Sequence, residues 1–253
     1  MDIREFKDKV FSKANKEGFS DFEVYFSKSD SINIKVYEGE VNDYNVSSSA
    51  GVSFRGIYSG KMGYAYTEIL DDAAVDMVVT RAKDNAVSIE NEDREFIFDG
   101  SINYNKVNVF NEELSKVSAD KKIILALELE KQARSKSDKV INIGYCGVGS
   151  SEEEYGIMNS KGLELIHKSN YVFGAIMPVI ADGNRMYNEM TYHIGNDFEA
   201  IDSGKLAEKA VNKSLARSGA TSVKSGAYRT VLNNDVAATL LNTFSGAFSA
   251  DNV

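Results

Sequence analysis

The sequence is short of the side chains that ordinarily hold a metal. It has 2 histidines and 1 cysteine in 253 residues. A zinc site needs clustered imidazole, thiolate or carboxylate ligands at defined spacing. His167 and His193 have no acidic or histidine companion at such spacing, and no H-E-x-x-H run is present. His167 reads as a residue at a strand end beside Lys168, and His193 as part of an aromatic strand beside Tyr192. A lone cysteine excludes an intrachain disulfide. Cys146 alternates with Tyr145 and Gly147 and reads as buried packing, since a nucleophilic thiolate needs a neighbouring base. Long apolar runs are also missing. The best candidate, Ile123 to Leu129, is far short of the roughly 18 residues of a membrane span and is interrupted by Glu128. The N-terminus, Met1-Asp2-Ile3-Arg4-Glu5-Phe6-Lys7, has no apolar core of a signal peptide. The reading is a cytoplasmic chain without a membrane partner. Positive charge is in the minority, 29 basic against 38 acidic residues for a net charge of −9. No basic cluster is longer than Lys121-Lys122, which argues against a nucleic-acid partner.

What is present is ordinary globular material, 43% hydrophobic and 26% charged, enough for a core without staples. Ile3, Phe6, Val10, Phe11 and Ala14 repeat at helical spacing, and Gly18 stands where a helix would stop. The period then becomes two. Phe22 to Phe26, Ile32 to Val36, Val41 to Val46, Gly51 to Tyr58 and Met62 to Thr67 read as a five-stranded antiparallel meander, with turns at Glu38-Gly39 and Ser59-Gly60. A helix with Ala74, Val75, Val78, Ala82 and Ala86 inside follows Asp71-Asp72, whose charge suits a helix N-terminus. Residues 90–111 read as a polar linker with one strand. A second region opens with a helix from Ala119 to Arg134, capped by Ser118. Strands at Val140 to Val148, Tyr155 to Asn159, Leu163 to Ile180 and Met186 to Ile194 suggest a second antiparallel sheet, and a helix at Ser203 to Arg217 closes it. Tyr228 to Leu232 reads as a strand and Asp235 to Leu241 as a helix. These two cannot bury a core alone, so the C-terminal part of a longer protein is expected to be missing. The fold class is therefore α+β: antiparallel sheets with flanking helices, in two regions (1–105 and 106–222) plus the start of a third (223–253).

Three further patterns have chemical readings that local structure outweighs. Ser118-Ala119-Asp120-Lys121 matches the S-x-x-K of acyl-transfer enzymes, but a serine before an apolar helix is a cap. Gly144-Tyr145-Cys146-Gly147-Val148-Gly149 lacks the dinucleotide order and a following helix, so it reads as strand into turn. Glu152-Glu153-Glu154 reads as a solvated turn. Sheet edges also offer a site for extended peptides by strand addition.

The run Gly51-Val52-Ser53-Phe54-Arg55-Gly56-Ile57-Tyr58-Ser59-Gly60-Lys61-Met62-Gly63-Tyr64-Ala65 resembles the N-terminal signature of the TldD/PmbA family, whose members are also called modulators of DNA gyrase. The preceding segment from Asp21 to Tyr44 is similar to that family's opening sheet. Met158-Asn159-Ser160-Lys161-Gly162 resembles its N-S-x-G turn, and Ser225 to Leu232 resembles the start of its third region. The resemblance implies a two-subunit peptidase acting on leader and unfolded peptides. In it a TldD subunit carries a metal-binding H-E-x-x-x-H helix, and a PmbA or TldE subunit lacks it. In Leu240-Leu241-Asn242-Thr243-Phe244-Ser245-Gly246-Ala247, Asn242 stands where the first histidine would be. Thr243 replaces the glutamate, and Ala247 the second histidine. None supplies an imidazole or a water-activating carboxylate. The resemblance thus implies a PmbA/TldE-like subunit with no catalytic residues, no metal ligands and no cofactor of its own. Its partners would be a TldD-type subunit or a second copy, and an extended peptide. The other reading is a peptide- or protein-binding regulatory module, of the gyrase-modulator kind, without catalysis.

Overall fold

The computed structural model describes residues 1–90 and 95–249. Helix α1 (Ile3–Glu17) begins where the Asp2 side chain accepts from the Glu5 amide at 2.8 Å and ends at Gly18 in the left-handed region. Strand β1 (Phe22–Tyr37) turns through Glu38 and Gly39, both at positive φ, into β2 (Glu40–Tyr58). Paired positive φ values are what a two-residue hairpin requires. Ser59 and Gly60 repeat the device into β3 (Lys61–Thr67). Helix α2 (Asp72–Ser88) is capped by Asp71. The short α3 (Glu112–Ser115) and then α4 (Ala119–Ser135), capped by Ser118, lead into β4 (Val140–Asn159), β5 (Glu164–Asp182), β6 (Arg185–Asn188) and β7 (Thr191–Gly195). Helix α5 (Ser203–Ala216) follows.

The five-stranded meander is in fact three long strands. Serine-rich stretches at Ser27–Ser31 and Ser47–Gly51 look like breaks in the sequence, yet they pair with each other residue for residue. A backbone ladder satisfies their polar groups whatever the side chains are. The segments around 140–148 and 155–159 likewise join into one strand. Glu152-Glu153-Glu154 therefore lies mid-strand opposite Asp30, Ser29 and Lys28, and not in a turn. Residues 186–194 divide the other way, into two short strands.

The two sheets expected from the sequence are one. Its order is β3-β2-β1-β4-β5-β6, with β7 also on β5, and every pairing of named strands is antiparallel. The join is β1 with β4, from Glu23↔Asn159 to Lys35↔Gly147. Side chains alternate across a strand, so the even-numbered residues of β1 share a face. Phe22, Val24 and Phe26 enter a core with α1 and α2, while Ile32 and Ile34 pack in a second core with α4 and α5. Both helix pairs thus cover the same face of the sheet. Close approach fixes the first pair: a Cβ on Gly63 would stand 1.8 Å from the Ala82 carbonyl oxygen of α2.

Residues 95–108 hold no strand; Val109 makes one isolated bridge to Ser169, and residues 91–94 of the expected linker lie outside the described residues. The chain falls into two compact units, Met1–Ser218 and Gly219–Val253. In the second, α6 (Asn234–Thr243) matches the expected helix, but residues 228–232 form no strand. A strand needs a partner for its ladder, and none is present among the described residues of that unit. No described residue from 219 onward is buried.

Candidate functional site

Helix α6 starts at Asn233, whose side chain accepts from the Val236 amide at 2.8 Å. It stops at Thr243, and a 3-10 turn over Ser245–Phe248 follows. Asn242 and Thr243 are therefore the last helical residues, while Ala247 sits in the turn. The Thr243 hydroxyl donates to the Thr239 carbonyl at 2.9 Å, and the Asn242 carbonyl accepts from Ser245 Oγ at 2.7 Å. All three positions are exposed. An amide, a hydroxyl already engaged with backbone and a methyl do not fit a divalent transition metal, which needs imidazole, thiolate or carboxylate. Among the described residues, no three His, Cys, Asp or Glu side chains are grouped to hold a metal ion.

The other candidates resolve into packing. His167 lies within β5, not at its end, paired with Tyr155, with ring centroids 5.1 Å apart. His193 is in β7 opposite Gly174. Cys146 is buried and its thiol donates to the Ala126 carbonyl at 3.4 Å. Burial, with the Glu130 charge adding to it, pushes the thiol up to about 12. Ser118 caps α4 by accepting from the Lys121 amide. The glycine run from Gly144 to Gly149 is strand throughout and holds no turn. A Cβ on Gly149 would come within 2.7 Å of both the Phe173 ring and the Ile32 carbonyl.

Sequence reading missed the band between the two cores. There the covered face of the sheet turns polar. Lys28 faces Asp30 at 3.4 Å, and Asp30 accepts from Ser48 at 2.6 Å. The Ser48 bond holds the Asp30 carboxyl below its usual range. Glu152 accepts from Ser115 at 2.7 Å and meets Lys168 at 3.3 Å. Asn170 holds Asn111 by two bonds to its backbone. A cleft of about 220 Å³ opens here. One wall is Lys122, buried, with its ammonium donating to the Val117 carbonyl at 3.0 Å and its pKa lowered by burial. The signal was the pair of unbroken polar runs, Ser27 to Ser31 and Ser150 to Glu154, inside otherwise apolar strands, which has meaning only once the register is known.

Against known proteins, residues 22–86 match the model of PmbA/TldA metallopeptidase domain 1, and residues 112–218 that of the PmbA/TldA metallopeptidase central domain. The chain belongs to the PmbA/TldD family. An uncharacterised protein of Methanocaldococcus jannaschii is 27% identical over 251 residues, covering 97% of this chain and 55% of that one. Solved structures share the PmbA/TldD fold at lower identity. A proposed modulator of DNA gyrase from Bacteroides thetaiotaomicron has a TM-score of 0.87 at 17% identity, over 98% of this chain and 57% of the other. One from Thermotoga maritima has 0.80 at 20%, over 89% and 50%. TldE from Thermococcus kodakarensis has 0.72 at 22%, over 83% and 47%. The chain spans about half the length of these relatives. Among the described residues, no helix is long and apolar enough to cross a membrane.

Proposed function

We propose that this PmbA/TldD-family chain is a non-catalytic, PmbA/TldE-like subunit of a cytoplasmic TldD/TldE-type metallopeptidase acting on leader or unfolded peptides. The proposal is carried by the residue set at the helix end, Asn242, Thr243 and Ala247, which the sequence resemblance aligns with the two histidines and the glutamate of the family's active helix. We take 1–105, 106–222 and 223–253 as its domain limits, in keeping with the two matched family segments. Its role would be to complete the oligomer and shape the path of an extended substrate, with the metal held by a TldD-type partner. The test is to mix the chain with a TldD-type subunit at micromolar concentration. Co-elution on size exclusion and cleavage of an unstructured peptide by the pair alone are expected. Two separate elution peaks would refute the subunit role.

A second reading, a peptide- or protein-binding module that acts without a peptidase partner, draws on the uncovered face of the sheet. Tyr25, Tyr64, Tyr66, Tyr155, Tyr171 and Tyr192 are all exposed there. It predicts saturable binding by the chain alone.

A further inference from the structure

Strand β2 has 19 residues, but β3 pairs with it only from Val52 to Tyr58. Along Glu40–Gly51 its inner edge is laddered to β1, and among the described residues no strand pairs with its outer edge. Every second residue of such an edge presents an unpaired amide and carbonyl. Folded proteins usually guard edges with lysine, proline or bulges. The one irregularity of its ladder lies at the hairpin end, where Val41 and Asp43 pair with the adjacent Val36 and Lys35 and Asn42 is left over. From Asp43 to Gly51 the register is unbroken and the edge has no lysine, arginine or proline, with Asp43 its single charge. Its outer half, Ser47-Ser48-Ser49-Ala50-Gly51, has small side chains that leave the backbone open to close approach. The other long strand edge is treated differently: outside β5, Val109 bridges to Ser169.

A second feature lies at the end of the same edge. Where β3 leaves β2 at Thr67, a largely apolar cleft of about 190 Å³ opens on the helix-covered side, walled by Ile3, Phe26, Ala50, Val52 and Leu70, with Lys28, Glu68 and Glu154 also lining it. On β2, Ala50 shares the face of Val52 and Phe54. A strand added antiparallel to β2, in line with β3, would place the side chain opposite Ala50 over this cleft.

We propose that the outer edge of β2 from Glu40 to Gly51 binds an extended peptide by antiparallel strand addition, with an apolar side chain seated in the cleft beside Ala50 and Leu70. Asp43 is matched by Lys35 at 3.0 Å, but Glu40, Glu68 and Glu154 outnumber Lys28 around the edge and cleft, so the surroundings are acidic and the peptide is neutral to basic. The same charge, on a chain of net −9, disfavours a second copy as the occupant. The proposal rests on the peptidase-subunit reading for its choice of a peptide. It concerns the isolated chain, so its failure is distinct from failure to associate with a TldD-type partner.

The test is hydrogen exchange on the 253-residue chain with a blocked ten-residue peptide of alternating valine and threonine, with a lysine at each end. At saturation, alternate amides between Asp43 and Gly51 should exchange at least tenfold more slowly. N-methylating every second peptide amide should abolish binding in one phase and leave it within threefold in the other, because only one set of amides faces β2. Replacing both lysines with aspartate should weaken binding at least fivefold. No protection, equal loss in both N-methylated phases, or equal affinity for the aspartate peptide would overturn the proposal. Protection that instead grows with protein concentration in the absence of peptide would assign the edge to a second copy and also overturn it.

Discussion

Glu130 sits on α4 and holds a turn more than ninety residues away. Its carboxylate accepts from the Glu38 and Gly39 amides, each at 2.9 Å, and from Arg134 at 2.8 Å. Burial opposes its charge, but the Gly39 amide, Arg134 and the Glu38 amide together outweigh burial and hold its pKa below the ordinary 4.5. A depressed carboxyl stabilises the fold fully above its unfolded value, and the contribution disappears as pH falls through the folded one. Glu130→Ala should cost about 2–3 kcal/mol at neutral pH. Glu130→Gln should lose less and flatten the stability curve below about pH 4.5; urea melts from pH 3 to 7 check both. Cys146 makes a second residue-scale prediction. With its thiol up near 12, a disulfide reagent at pH 8 should label the native chain roughly a hundredfold more slowly than the chain in denaturant. The cap Ser118 was legible in the sequence because a cap and its target lie within three residues; Asp71 was read only as a charge suited to a helix N-terminus, and its side chain proves to accept from the Ala74 amide. Glu130 was not, because its partners meet it only through the fold.

At the level of elements, the long helices were read nearly end to end, since an apolar face repeating at helical spacing survives interruptions, whereas the one-turn α3 is too short to show such a face and was not read. Strands were read as too many and too short. The serines of β1 and β2 and the glutamates of β4 occupy the polar band between two cores, where alternation of apolar residues fails although the ladder continues. Tyr228–Leu232 failed in the opposite sense: strand-like composition, but no neighbour to pair with among the described residues. Gly63 reports how tightly β3 lies on α2. Gly63→Ala drives a methyl into the Ala82 carbonyl, so it should destabilise by roughly 3 kcal/mol or more, measured by denaturant melting. The same change at Gly60 of the adjoining turn meets no atom within 4 Å, though its φ of +80° adds backbone strain, so comparison of the two separates packing from strain.

For the whole molecule, family and fold class were legible, whereas the union of two sheets into one was not, because nothing local marks β1 as the partner of β4. Protein purified without chelators should carry zinc and iron near zero per chain by elemental analysis. A stoichiometry near one would remove the non-catalytic assignment. Within Met1–Ser218, the core around Phe54 and the core around Ile176 sit on the same sheet. Exchange protection in both should therefore vanish at one denaturant concentration; two separated midpoints would mean the sheet does not couple them.

The pairing of β1 with β4 also sets a timetable. When β1 leaves the ribosome, the strand that will flank it is still more than a hundred residues from being made. At about 5–20 residues per second, the nascent hairpin of β1 and β2 waits roughly 5–20 s with its inner edge bare. That interval is long against hairpin formation, which takes microseconds. Chaperones that shield open strands would matter most for this protein between the emergence of Tyr37 and that of Gly147, and slowing translation there should raise the aggregated fraction.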